Sequence, residues 1–295
     1  LAAGVLAQHG RDPMALARGI ILLPNNRGVR AISDAFVRRS QTGGQNGLLM
    51  PRLVPIGDID LNERLGNALD PMGEGADIPP AIPPMERLMI LARLVQEARA
   101  QAGQGVDAGE AMRLAQALAN TLDQMLVEQV ALTRLRDLDG VEELPVHWQA
   151  SLQMLELLLD RWPRELEKRG MIDMAERRNR LLDHVAARWR TDPPPGFVIA
   201  AGISTTAPAI CAVLRTIARM ERGQVVLSEL DQNMSDEEWD EIGPFTPDPA
   251  TKKARPSHES HPQFALKLLL DRIGVARAEV ALWRWGGGHD ARAVR

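Results

Sequence analysis

The sequence is poor in the residues that build several common kinds of protein. A single cysteine, Cys211, in 295 residues excludes an internal disulfide framework, a four-cysteine zinc site and a four-cysteine iron–sulfur cluster. No apolar run reaches the ~18 residues that a membrane-spanning helix needs. No Gly-Lys pair occurs, so the phosphate loop G-x-x-x-x-G-K-[ST] is missing from these residues and any such loop would have to precede Leu1. Tyrosine is absent, and arginine supplies all but four of the 35 basic residues, a bias we assign to codon usage in a GC-rich genome. The net charge of −4 excludes a globally basic nucleic-acid binder, although not a local basic groove.

What remains is ordinary globular material, 45% hydrophobic and 25% charged, and its length suits about two domains. The chain opens at Leu1 inside an amphipathic pattern (Leu1, Val5, Leu6), with no signal peptide, and is expected to be a fragment of something larger. It closes on Trp283-Arg284-Trp285 and Gly286-Gly287-Gly288 with no terminal element in view. A cytoplasmic location is expected.

Gly19–Pro24 is all apolar and closed by proline, the pattern of a strand buried on both faces of a parallel sheet. A helix follows over 25–39, with Val29, Ile32, Ala35 and Phe36 on one face. Leu48–Pro51 and Leu53–Ile56 read as extended. Residues 66–84 bring glycine, aspartate and five prolines, the composition of a linker. The pattern then becomes purely helical as far as about Arg190. Its stripes are Met85, Leu88, Leu91, Ala92, Val95; then Ala111, Leu114, Leu118, Leu122, Met125; then Trp148, Leu152, Leu155, Leu159, Trp162. A fourth helix is N-capped by Asp173 with Glu176 as its capping-box partner, and buries Leu181, Leu182, Val185 and Trp189. Beyond Pro193–Gly196, strands over 197–201 and 224–230 flank a helix carrying Ile210, Val213, Leu214 and Ile217. Residues 243–262 read as a mobile loop. The expected fold is α/β, a parallel sheet with an all-helical insertion. Its segments are 1–78, the helical subdomain 79–192, and 193–295.

Several patterns bear on chemistry. Asp236-Glu237-Glu238 looks like an acidic pair for Mg²⁺, but Ser235 and Glu238 also form a capping box, and that reading is preferred. Gly202-Ile203-Ser204-Thr205-Thr206 sits where a nucleophile elbow would, yet Thr206 replaces the final glycine of G-x-S-x-G. Ser204 is therefore either a hydrolase nucleophile, with Asp231 and His258, His261 or His289 following it, or a helix cap. His258 and His261 are too close to Pro262 to share a helical metal face. Arg177, Arg178 and Arg180 read as a solvated helix face. Asn25, Asn26, Arg27 and Arg30 lie at the end of a buried strand and the start of a helix, where α/β sheets bind ligands. The arginines suit phosphates and the asparagines can donate hydrogen bonds; Arg52 is expected on the same surface. An ordinary exposed helix start would look the same.

Taken in order, the segments Ile20–Ala31, Leu48–Asp58, Pro79–Arg87, His147–Leu152, Arg161–Pro163, Gly170–Asn179, Phe197–Ser204, Val225–Asp231, Glu238-Trp239 and His261–Lys267 resemble the AddB subunit of bacterial AddAB helicase–nucleases. The likeness is to the form found in alphaproteobacteria, and the set is colinear over nearly the whole chain. The resemblance implies the N-terminal, inactivated part of a superfamily 1 helicase-like (P-loop NTPase-like) module in DNA double-strand break repair. It implies the AddA helicase–nuclease subunit as partner, and DNA ends or single-stranded DNA as ligand. ATP, Mg²⁺ and an iron–sulfur cluster would belong to the whole complex, with the nuclease domain beyond Arg295. Pro24–Arg30 would match the helicase segment that touches single-stranded DNA, although Asn25-Asn26-Arg27 is less basic than that turn usually is. The other readings are an α/β hydrolase acting through Ser204 and a nucleotide-binding adaptor.

Overall fold

A computed structural model describes residues 1–42, 47–57, 69, 77–101, 103–131, 159–251, 253–283 and 291–294. The chain divides into two compact units. Leu1–Gly73 together with Leu182–Arg295 form one, and Glu74–Leu181 the other.

The first unit is a mixed α/β body around a small, mainly parallel sheet. Helices α1 (Ala2–His9) and α2 (Pro13–Ala17) lead into β1 (Ile20–Leu23), α3 (Asn26–Thr42) and β2 (Arg52–Pro55). After the helical unit come β3 (Val198–Ala201), α8 (Pro208–Ala218), β4 (Gly223–Ser228), α9 (Asp236–Glu241) and α10 (Phe264–Ile273). The strand order is β2-β1-β3-β4-β6-β5, where β5 (Ala281–Leu282) and β6 (Ala291–Val294) are the last two strands. The first four strands run parallel, whereas β6 is antiparallel to β4 and β5. That closing pair corrects the expectation of a chain end without structure; strands so short give almost no periodic signal.

β1 and β3 are buried along their whole length, as the apolar runs require. Ile21, Leu23, Ile199, Ala201 and Val226 share one core with Val5, Leu16 and Phe36, so α1, α2 and α3 cover that face. The alternate residues Ile20, Leu22, Val198, Ala200, Val225 and Leu227 are also buried, and α8 packs against β3 and β4. β4 stops at Ser228 because Glu229 takes a left-handed φ of 64°, a conformation that no strand continues. Asp231 therefore lies beyond the strand, not at its end.

Residues 243–262 are irregular apart from short turns, yet they are tethered. The Asp248 carboxylate accepts from the Ala250 and Thr251 amides at 2.8 and 2.7 Å. The His258 amide donates to the Ile242 carbonyl, and Arg255 lies over the Phe245 ring.

The second unit is helical. It contains α4 (Pro84–Gln101), α5 (Ala108–Val127), α6 over 159–169, and the start of α7 (Met174–Thr191), a helix through which the division between units passes. Leu91, Val95, Ala111, Ala115, Leu122, Trp162 and Leu166 form its core. Met85, expected on the core stripe, is 66% exposed. Trp148, Leu152 and Leu155 lie outside the described residues. Asp173 does precede a helix with Glu176 in its first turn. The Asp173 carboxylate also meets Arg87 Nε at 2.8 Å and accepts from Trp162 Nε1 at 2.9 Å. Arg87 in turn reaches Asp123 at 2.8 Å. On the same helix Arg178 is 2% exposed, which corrects the solvated-face reading; only Arg180, paired with Glu176, fits it. Arg177 is half-buried and donates to the Pro79 carbonyl.

Candidate functional site

In an open parallel sheet, ligands gather beyond the carboxyl ends of strands where the strand order reverses. Here the chain leaves β1 toward β2 on one side and β3 toward β4 on the other, so the reversal falls between β1 and β3. The turns that follow these two strands are the Asn25–Arg30 turn and the 202–207 loop.

Asn25 begins α3. Its side-chain oxygen accepts from the Gly28 amide at 3.0 Å, and its carbonyl accepts from Val29 at 3.1 Å. The Asn25 oxygen is thus spent on the helix, while its amide nitrogen can still donate. The turn is pinned from β2, because the Gly57 amide donates to the Pro24 carbonyl at 3.0 Å. Only glycine allows that approach: a Cβ at Gly57 would stand 2.1 Å from the Pro24 oxygen. No local pattern around Gly57 signals this contact, because its partner Pro24 lies 33 residues earlier.

Asn25, Asn26, Arg27 and Arg30 are all exposed. Arg27 and Arg30 are three residues apart on α3 and so share a face. Among the described residues, neither meets a carboxylate. The positive end of the α3 dipole adds to their field. Arg52 is not on this surface. The register pairs Arg52 with Ile20, the first residue of β1, which puts it at the opposite edge of the sheet. At ~3.3 Å per residue, the four-residue strand separates the two edges by about 13 Å.

The 202–207 loop starts with Gly202 at φ 66°. Its end is fixed from α10, where the Arg272 guanidinium donates to the Thr206 carbonyl. Ser204 does not cap α8. That helix has Ala207 at its N-cap with no side-chain bond, and Pro208 at its first position. The nearest substitute is Thr205, whose hydroxyl meets the Ala207 amide at a long 3.4 Å. Nor is this a nucleophile elbow. An elbow places its serine on a tight strand-to-helix turn, whereas three residues separate Ser204 from Pro208. Replacing Ser204 by Ala is expected to change stability by less than about 0.5 kcal/mol, read from urea denaturation. Labelling of the wild type by a fluorophosphonate probe, lost in Ser204→Ala, would overturn this account.

Asp231, Glu237, Glu238, Glu241, His258 and His261 line a separate cleft of about 730 Å³. Three of its carboxylates, those of Asp231, Glu238 and Glu241, have structural duties. Asp231 accepts from the Asn233 and Met234 amides, and Glu238 completes a capping box with Ser235 at 3.1 Å in both directions. Glu241 pairs with Arg255, whose hydrogen bond and charge hold its carboxyl below the usual range. His261 Nδ1 accepts from the Gln263 amide. Among the described residues no three His, Cys, Asp or Glu side chains form a metal-binding group. His289 lies outside the described residues. No helix among the described residues is long and apolar enough to cross a membrane.

No protein-family model, curated protein or solved structure matches the chain.

Proposed function

We propose that this chain is a non-catalytic, helicase-like segment of an AddB-type subunit, which acts with AddA in processing DNA ends for recombination. The reading rests on the colinear resemblance, and the fold is compatible with it. A parallel sheet is interrupted after β2 by a helical unit and resumes at β3. One observation carries the functional part. Arg27 and Arg30 stand exposed on the first turns of α3, at the strand-order reversal, with no carboxylate to neutralise them among the described residues. Two phosphates of a single strand can be met there, while Asn25 offers its side-chain amide as a donor.

In this reading the ATP, Mg²⁺ and iron–sulfur chemistry of the complex lies elsewhere, because the residues here do not fit those groups. The one cysteine is buried at 2% exposure and cannot assemble a cluster. Of the acidic run, Asp236 pairs with Arg277 and Glu238 caps a helix. No Gly-Lys pair is present to cradle a triphosphate.

The test is fluorescence anisotropy with labelled single-stranded oligonucleotides, on the complex with AddA, over a salt series. Each single-strand phosphate contact contributes about 0.7 to the log–log salt slope, so Arg27→Ala with Arg30→Ala lowers it by about 1.4. Affinity falls evenly across sequences, because phosphate contacts do not read bases. An unchanged slope and affinity would reduce the turn to a plain helix start.

A further inference from the structure

A second concave surface lies at the other edge of the sheet, ahead of β3 and β4. A cleft of about 870 Å³ is bounded by the end of α7, by Pro193–Gly196 and by the end of α8. That volume is within the ~300–1,000 Å³ of small-ligand sites. Arg190, Arg215, Arg219 and Arg222 line it, against the carboxylates of Asp183 and Glu221. Four cations face two anions, in a chain whose net charge is −4.

Arginine in the last turn of a helix normally answers the negative end of the dipole. Here other groups already meet much of that demand. The Asp192 amide and the Thr191 hydroxyl donate to the Arg188 carbonyl at the end of α7. At the end of α8, the Arg219 and Met220 amides donate to the Thr216 and Ile217 carbonyls. Arg215 donates to the Arg272 carbonyl and Arg222 to the Pro195 carbonyl, which holds both guanidiniums in place without neutralising them. The side chains of Arg190 and Arg219 are exposed and their guanidiniums have no hydrogen bond or ion pair among the described residues. Trp189 and the prolines give the cleft apolar walls, and such walls focus the field of the charges between them. The surplus charge has a further effect next door. Arg222 also lines an adjoining hollow with His9, where burial first and the Arg222 charge second hold the imidazole below its ordinary pKa.

We propose that this cleft binds phosphate groups, with Arg190 and Arg219 as the primary contacts and Arg215 and Arg222 as a fixed cationic backing. Guanidinium forks match phosphate oxygens in pairs. The phosphates belong either to a free phosphorylated molecule or to a nucleic-acid strand. The proposal does not depend on the reading of Arg27 and Arg30, which lie at the opposite edge of the sheet.

Calorimetry of the full chain at low salt, with inorganic tripolyphosphate as the probe, tests it. Arg190→Gln with Arg219→Gln is expected to weaken binding about tenfold. Arg113→Gln with Arg164→Gln removes the same charge from exposed positions of the helical unit and is expected to change tripolyphosphate binding by less than about twofold. Displacement of tripolyphosphate by a ten-nucleotide oligothymidylate would assign the phosphates to a strand; failure to displace it would assign them to a free ligand. No heat of binding, or equal losses in the two double variants with circular dichroism unchanged, would overturn the proposal. The salt-slope test on the AddA complex is read separately, so either idea can fail without the other.

Discussion

Replacing Arg87 by Met is expected to destabilise the helical unit by about 3–5 kcal/mol, the cost of removing one partner from a buried ionic group. Arg87 is 6% exposed and Asp173 4%, and the guanidinium bridges Asp173 and Asp123. Without it, Asp173 retains only the Trp162 indole donor among the contacts described above. Burial already raises the Asp173 pKa above 3.8, with the Arg87 charge acting second and in the opposite direction. A folded-state pKa above the unfolded value means a contribution that is fully present below 3.8 and lost as pH rises through the folded pKa. Loss of Arg87 raises that folded pKa further. The penalty of Arg87→Met is therefore greatest near neutral pH and shrinks on acidification. Hydrogen exchange of the α4 and α5 amides at several pH values measures it. A penalty under about 1 kcal/mol, or one independent of pH, would show that the triad is not energetically coupled. Adding Asp173→Asn should recover part of the loss, because the orphaned charge is then gone.

Phe36→Ala is expected to cost the sheet unit about 3–5 kcal/mol, the range for emptying a buried aromatic site. Phe36 is fully buried in the core that contains Ile21, Leu23 and Ile199. It lies on α3, the helix whose first turns present Arg27 and Arg30. If the proposed DNA contact of Arg27 and Arg30 holds, the same substitution weakens it as well, by loosening the helix that aims both arginines. Near-UV circular dichroism through a thermal melt reads the stability, and the anisotropy assay reads the arginines. Phe36→Leu, which keeps most of the volume, is expected to retain most of both. Wild-type stability in Phe36→Ala would mean that α3 is not held by this contact.

How far the sequence revealed these features depended on how local each one is. β1, β3 and the buried face of α7 were legible because Ile20–Leu23, Val198–Ala201 and Leu181, Leu182, Val185, Trp189 follow the period of their elements. The Ser235–Glu238 box was legible for the same reason, since both partners lie within one turn. Arg52 was misplaced because strand register is a long-range property: nothing within 48–56 says which end of β2 lies level with Asn25. Arg178 was misread because the type prior puts arginine outside, and its burial is decided by packing that the helix alone does not encode. The cap assigned to Ser204 failed by a few residues of loop, as the helix begins only at Pro208. The arginines of the second cleft come from α7, α8 and the turn before β4, so no spacing rule joins them.

The hydrogen-bonded partnership of β1 with β3 sets an order of events during synthesis. Val198, which pairs with Ile20, follows it by 178 residues. At ~5–20 residues per second, β1 emerges from the ribosome roughly 9–36 s before that partner exists. The helical unit, Glu74–Leu181, is synthesised within that interval. Four consecutive apolar residues, Ile20–Leu23, meanwhile have only α1, α2, α3 and β2 to cover them. The nascent sheet is thus a half-built edge for much of translation, and a chaperone that shields short apolar strands has its longest opportunity there.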